Sequence, residues 1–215
     1  MSEPVIVFSA SKWLLGEVFD LALGEALARV LRNRGAVARD VLQKQLARAE
    51  INIADAADRD EAAAMVFEYI EAARQGAARR NLRMLAEIMA KKLTAPPIYA
   101  SEFLRWSRLL ADLSPEEIIT LARLHELYHD DSFDNGHGQP KDYRGLTEKL
   151  KQTLVEAGAA KNSLDVSSIL GALQRTGLVV YAAGGFGGAW HLPSPRLDEL
   201  LNLVNFEEVI AEPDR

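Results

Sequence analysis

The stretch that most constrains the fold is Leu113–Asp131, which reads L-S-P-E-E-I-I-T-L-A-R-L-H-E-L-Y-H-D-D. Ser114 suits the N-cap of a helix, the proline after it suits the first turn, and Glu117 completes an S-x-x-E capping box. Leu113 can pack against Ile118 as a hydrophobic staple. These signals together predict a helix that begins directly after Ser114.

The last turns of this helix contain the H-E-x-x-H pattern, formed by His125, Glu126 and His129. Two imidazoles one helical turn apart can bind zinc, and the glutamate between them can act as a general base. The spacing places both histidines on the side of the helix that carries Ile118 and Leu121. A zinc-dependent hydrolase is therefore one hypothesis for this chain.

The residues around the pattern argue against that hypothesis. Charged residues flank it at Arg123 and Asp130, where zinc peptidases usually place uncharged ones. A catalytic zinc needs a third protein ligand. His137 is two residues out of the metzincin register, and Glu148 or Glu156 would supply only a generic downstream carboxylate. We therefore expect no cofactor. Only the alternative hypothesis of a zinc-dependent hydrolase includes a zinc ion, bound by His125 and His129.

Composition excludes several classes of site and of location. The chain has 215 residues, 48% of them hydrophobic, and no cysteine, which excludes disulfides, thiolate zinc sites and iron–sulfur clusters. The apolar segment Trp13–Leu31 is interrupted by Glu17, Asp20, Glu25 and Arg29, so we expect neither a membrane span nor a signal peptide. The expected location is the cytoplasm.

Charge is distributed unevenly along the chain. The formal net charge is −6, and residues 1–93 hold 14 Lys and Arg against 13 Asp and Glu, whereas residues 94–215 hold 11 against 18. Binding to nucleic acid is therefore not favoured, although it stays possible. Any such contact is expected in the N-terminal basic cluster, which consists of Arg74, Arg79, Arg80, Arg83, Lys91 and Lys92.

Residues 1–95 are predicted to form an N-terminal helical region. A first helix, capped by Ser9 or Ser11, is expected to stop at Gly35, and a second over residues 37–53 would complete a helical hairpin.

A further helical pattern spans residues 60–93 and ends at Thr94-Ala95-Pro96-Pro97. Gly76 within it allows either one bent helix or two shorter ones. The two prolines are the predicted boundary between the two regions.

Residues 96–215 are predicted to form a C-terminal helical region with one β-hairpin over residues 178–192. Gly184–Gly188 forms the tip of that hairpin, and a phosphate-binding loop is the less favoured alternative because no Lys-Ser/Thr pair follows. Three helices followed by a hairpin is the order of a winged-helix unit. Its third helix, residues 163–176, contains one basic residue, Arg175, which argues against DNA binding. A last helix over residues 196–204 and a polar tail are expected to follow.

Two segments resemble the abortive-infection alpha (Abi-alpha) type proteins of bacteria and their phages or plasmids. Ala78–Leu127 contains A-A-R-R-N-L-R-M-L-A-E-I-M-A and, after a short linker, E-F-L-R-W-S-R-L-L-A-D-L-S-P-E-E-I-I-T-L. Leu173–Val179, L-Q-R-T-G-L-V, resembles the family's entry into its C-terminal strands. The resemblance implies that the capped helix is a packing element, implies a setting in phage defence or mobile elements, and transfers no catalytic residue.

We therefore predict a mainly α-helical protein with a multi-helix N-terminal region and a winged-helix-like C-terminal part. The favoured function is non-enzymatic protein interaction with self-association into a homo-oligomer, because the apolar faces are broader than short helices can cover. A winged-helix DNA-binding regulator and a zinc-dependent hydrolase are the two alternatives.

Overall fold

The computed structural model describes residues 21–53, 56–94, 99–133, 142–183 and 189–211, without the side chains of 21–26, 183 and 189. Within this part of the chain there are nine α-helices and one two-stranded antiparallel hairpin. The protein is mainly α-helical with a hairpin near the C-terminus, which confirms the predicted class. The following predicted features lie outside the described residues: the cap at Ser9 or Ser11, Pro96-Pro97, His137 and the tip Gly184–Gly188.

The first described helix, α1 (Leu21–Arg48), is continuous through Gly35, so the predicted helical hairpin is wrong. A glycine inside a helix costs only about 1 kcal/mol relative to alanine. Beyond Gly35, α1 buries Ala38, Val41 and Leu42 in the protein core. That burial outweighs the cost of the glycine, so the helix passes through it.

Two helices follow α1, because the chain turns at Gly76. Helix α2 (Arg59–Gln75) ends where Gly76 adopts φ 110°, in the left-handed region, and α3 (Arg79–Thr94) begins three residues later. Of the two arrangements that the sequence allowed, the structure has two helices. Both pack on α1, and the buried Tyr69 hydroxyl of α2 donates a 3.0 Å hydrogen bond to the carbonyl of Ala38.

Helices α4 (Ala100–Leu110) and α5 (Pro115–Tyr128) are joined by a short turn. The capping box at the start of α5 is confirmed. The Ser114 hydroxyl accepts from the backbone N–H of Glu117, and the Glu117 carboxylate accepts from the backbone N–H of Ser114. Leu113 and Ile118 are both buried. The turn is also held from α3, whose buried Asn81 donates to the carbonyls of Leu110, Ala111 and Leu113.

Helices α6 (Tyr143–Glu156) and α7 (Ser163–Gln174) follow α5, and both pack against it. The side chain of Asn162 caps α7 by accepting from the backbone N–H groups of Leu164 and Asp165. Strands β1 (Val179–Ala183) and β2 (Ala189–Pro193) then pair antiparallel, with Val179 opposite Pro193. Strand β2 packs on α5 and α6.

The chain ends its described part with α8 (Pro195–Leu203) and α9 (Phe206–Ala211). Helix α9 replaces the predicted polar tail, because Phe206 and Val209 are one helical turn apart and both are buried. Asn205 starts the helix by accepting from the backbone N–H of Glu208 at 3.4 Å.

Helices of the C-terminal part pack directly on the N-terminal helices. Helix α9 contacts α3 as well as α5, and α8 also contacts α3. The backbone N–H of Asn205 donates to the Glu87 carboxylate at 3.0 and 3.1 Å, and Arg48 forms a 2.7 Å ion pair with Glu208. Buried apolar residues on both sides of position 96 belong to one core cluster.

Among the described helices, none has the length and apolar character that crossing a membrane requires.

Candidate metal centre

The two histidines of the H-E-x-x-H pattern lie side by side at the C-terminal end of α5. The ring centroids of His125 and His129 are 4.3 Å apart. The His125 side chain is 30% exposed and that of His129 is 54% exposed, whereas Ile118 and Leu121 on the same side of α5 are buried. The side of α5 that is buried near its start therefore reaches the surface at the two imidazoles.

A carboxylate from another helix meets the imidazoles. Asp198 of α8 places its Oδ1 atom 3.4 Å from His125 Nε2 and 3.8 Å from His129 Nε2. One ligand atom from each of the three side chains lies within 4.8 Å of the others. Two imidazoles and one carboxylate thus converge from two separate helices.

The start of α8 is fixed by Ser194, which holds Asp198 in position. The Ser194 hydroxyl accepts from the backbone N–H of Leu197 and donates to the carbonyl of Gly177 at 2.7 Å. Its backbone N–H donates to the carbonyl of Leu178 at 2.9 Å. Because α8 also packs on α5, Asp198 in the first turns of α8 is brought to the end of α5.

The local environment favours the neutral form of one imidazole. Partial burial lowers the pKa of His125, and the neighbouring His129 lowers it further, while Asp198 acts in the opposite direction. A neutral imidazole has the free nitrogen lone pair that a metal ion requires.

The acid that the H-E-x-x-H hypothesis names as general base makes a different contact. The Glu126 carboxylate is 63% exposed and forms a 2.5 Å ion pair with Arg123, one turn earlier on α5. The downstream acids do not join the histidines either. Glu148 pairs with Lys151 at 3.0 Å, and Glu156 accepts from Gln152 at 2.7 Å.

Sequence reasoning missed Asp198, and no local pattern identifies it. The residue sits in an ordinary amphipathic segment far along the chain from His129. Only the packing of α8 on α5 brings the three side chains together.

The N-terminal basic cluster is largely engaged with other residues. Arg74 pairs with Glu71, Arg79 with Asp40, Lys91 with Glu87, and Lys92 with Glu102, while Arg80 is buried. These pairings reduce the positive charge that the cluster offers to a phosphate backbone.

A second cationic feature lies at the junction of α4, α7 and α8. It is an open cleft of about 460 Å³ lined by eight residues, four of which are arginines: Arg105, Arg108, Arg175 and Arg196. Arg175 lies 3.7 Å from the Glu117 carboxylate, and the guanidinium of Arg196 lies 5.2 Å from the ring centre of Trp106. The acids at its edge, Asp112 and Glu117, are fewer than the arginines, so the cleft is locally cationic.

Comparison with known proteins gave no match to this chain among family models, curated proteins or solved structures.

Proposed function

We propose that this chain is a non-enzymatic protein-interaction protein that self-associates through the N-terminal half of α1. The observation that carries the proposal is an apolar stripe which continues along α1 beyond the protein core. Leu27, Val30 and Val37 are 42%, 45% and 38% exposed. Between residues 27 and 37 α1 has no buried residue, whereas from Ala38 onward it is anchored in the core.

The exposed residues continue the side of α1 that is buried further along. Leu27, Val30, Val37 and the buried Val41 are separated by three, seven and four residues, which returns them to one side of a helix. Arg34 on that side contacts α2 by donating to the carbonyl of Arg74 at 3.0 Å. The described residues thus contact this side of α1 at Arg34, whereas Leu27 and Val30 remain 42% and 45% exposed among them.

A second copy of the chain is the proposed occupant of the stripe. Two such helices can pair antiparallel about a twofold axis, because an apolar stripe complements itself. The sequence just upstream is also rich in apolar residues, among them Leu21, Leu23 and Ala26. The resemblance to the Abi-alpha type proteins adds phage defence or a mobile element as the proposed setting.

DNA binding is less well supported, although the order of α5, α6, α7 and the hairpin is that of a winged-helix unit. The third helix of such a unit faces the DNA. Here α7 exposes uncharged residues, namely Ser163, Leu164, Ser167, Ser168, Gly171 and Gln174. Leu164 alone is 80% exposed. Such a face lacks the Lys and Arg side chains that contact with phosphate requires.

Hydrolysis is also less well supported. A general base must lie within hydrogen-bonding reach of the proton that it removes. Glu126 instead pairs with Arg123. The His129 side chain is 54% exposed and that of His125 is 30% exposed, whereas catalytic zinc usually lies in a shaped cleft that excludes bulk water.

Light scattering after size-exclusion chromatography tests the proposal. At micromolar concentration the protein should have at least about twice the 23.7 kDa mass of one chain. Leu27→Asp and Val30→Asp place a charge on the stripe and should shift the mass toward that of a monomer.

Leu164→Asp is the matched control, because it changes a more exposed leucine on α7 and should leave the mass unchanged. A monomeric wild-type protein would refute self-association, and an equal loss of association in Leu164→Asp would refute the assignment to α1.

A further inference from the structure

We propose that His125, His129 and Asp198 bind one divalent transition-metal ion of zinc-like chemistry. The ion would join the end of α5 to the start of α8. These side chains lie on other helices than the α1 stripe, so the proposal does not depend on self-association.

The distances already approach those of a metal site. Zinc bonds to nitrogen and oxygen of 2.0 to 2.2 Å in a tetrahedron place neighbouring ligand atoms about 3.3 Å apart. His125 Nε2 and Asp198 Oδ1 are 3.4 Å apart, and His129 Nε2 is 3.8 Å from the same oxygen. Small rotations of the His129 and Asp198 side chains, which are 54% and 50% exposed, would complete the geometry.

The backbone arrangement supplies most of the preorganisation. His125 and His129 are four residues apart, so the helix itself places both rings on one side. Asp198 comes from a helix whose first turn is anchored through Ser194. Binding would therefore need rotation of side chains but no movement of a helix.

An ion pair alone explains the cluster less well than a metal ion. One carboxylate oxygen balances the charge of one imidazolium, yet two rings lie near Asp198 Oδ1. Two protonated rings 4.3 Å apart would repel each other. A bound cation would instead be attracted by both ring nitrogens and by the carboxylate.

The ligand set also determines the class of metal. Imidazole nitrogen suits Zn²⁺, Co²⁺, Ni²⁺ and Cu²⁺, whereas Mg²⁺ and Ca²⁺ prefer sites made of oxygen alone. Three protein ligands leave at least one coordination position for solvent. We therefore expect binding of Zn²⁺ and no measurable competition from Mg²⁺.

Titration of the full chain with Zn²⁺ alone, by calorimetry and by competition with a chromophoric chelator, tests the proposal. The expected result is one Zn²⁺ per chain. His129→Ala and Asp198→Asn each remove one ligand and should weaken binding at least about tenfold.

Glu199→Gln is the matched control, since it neutralises the neighbouring exposed acid on α8 and should change affinity less than about twofold. Co²⁺ should give the visible absorption bands of a low-coordinate site in the wild type and in Glu199→Gln, but not in Asp198→Asn.

Thermal unfolding adds a measurement that does not depend on any variant, because an ion that binds the folded state raises the unfolding temperature. Zn²⁺ should raise it for the wild type, and the same concentration of Mg²⁺ should not. The proposal is overturned if the wild type does not bind Zn²⁺, if Asp198→Asn binds it equally well, or if Glu199→Gln loses binding to the same extent.

Discussion

Asn81 of α3 provides the sharpest test of how the helices are held together. Its side chain is 1% exposed, and its amide nitrogen lies 2.6 Å from the carbonyl oxygen of Leu110, 2.8 Å from that of Leu113 and 3.2 Å from that of Ala111. One amide group thus satisfies the carbonyls of the turn between α4 and α5. The amide oxygen is buried without a hydrogen-bond partner among the described residues, so the side-chain hydrogen bonds of Asn81 are made by its amide N–H groups.

The expected cost of removing this amide follows from the two short hydrogen bonds. A buried hydrogen bond contributes roughly 0.5 to 1.5 kcal/mol, and a buried polar group left unsatisfied costs roughly 1 to 3 kcal/mol. The substitution also removes the buried, unpaired amide oxygen, which offsets part of the loss in stability. We expect Asn81→Ala to lower the free energy of unfolding by about 2 to 3 kcal/mol.

Asn81→Asp is the more discriminating change, because it keeps the shape and replaces the donor with an acceptor. A carboxylate oxygen would then face three carbonyl oxygens. We expect Asn81→Asp to be less stable than Asn81→Ala by at least about 1 kcal/mol at neutral pH, and the gap to narrow in acid as the carboxyl group is protonated.

Urea unfolding followed by circular dichroism at 222 nm measures these differences, and equal m-values would show that the compactness of the states is unchanged. Asn202→Asp, at an exposed position on α8, is the control and should stay within about 0.5 kcal/mol of the wild type. If both Asn81 variants unfold within about 1 kcal/mol of the wild type, the amide does not stabilise the turn as argued.

Three further predictions follow from the structure. Gly35→Ala should raise the free energy of unfolding by about 0.5 to 1 kcal/mol, because Gly35 lies inside α1 and a Cβ there would meet no atom within 4 Å. Gly76→Ala should lower it by about 1 kcal/mol or more, since φ is 110° and the Cβ would lie 3.4 Å from the Arg34 guanidinium. Measured by urea unfolding, the changes in free energy that the two variants cause should therefore have opposite signs. Burial and the nearby Lys151 lower the pKa of His191. As pH falls, His191 therefore takes up a proton in the unfolded chain before it does so in the folded one. Its contribution to the free energy of unfolding is complete above about pH 6.5 and decreases below it. Urea midpoints between pH 7.5 and 5.5 should fall less in His191→Asn, and an equal fall would contradict this assignment.

The features that could be predicted from sequence are those with a local physical cause. Ser114 and Glu117 specify the start of α5, because a capping box needs only neighbouring residues. Asn162 specifies the start of α7 in the same way. Gly35 misled the prediction, because a glycine marks a helix end only where the backbone needs a left-handed conformation, as it does at Gly76.

Other features depend on contacts between distant segments. Asp198 becomes a candidate ligand only through the packing of α8 on α5. Helix α9 did have a local signal in Asn205, which can cap it, and in the spacing of Phe206 and Val209. Its short length kept that signal weak, and the packing of α9 on α3 and α5 is what makes it stable.

The return of α9 to the N-terminal helices also has a consequence for the order of folding. The ion pair between Arg48 and Glu208 joins residues 160 positions apart, and the contact of Asn205 with Glu87 joins residues 118 apart. During synthesis on the ribosome, α1 to α3 emerge long before these partners are made. The part of the α3 surface that later contacts α9 is therefore exposed to solvent in the meantime. Contacts between residues so far apart in sequence form slowly, because closing the intervening loop costs conformational entropy. We therefore expect the nascent N-terminal helices to be a substrate for chaperones until residues 205–211 have been added.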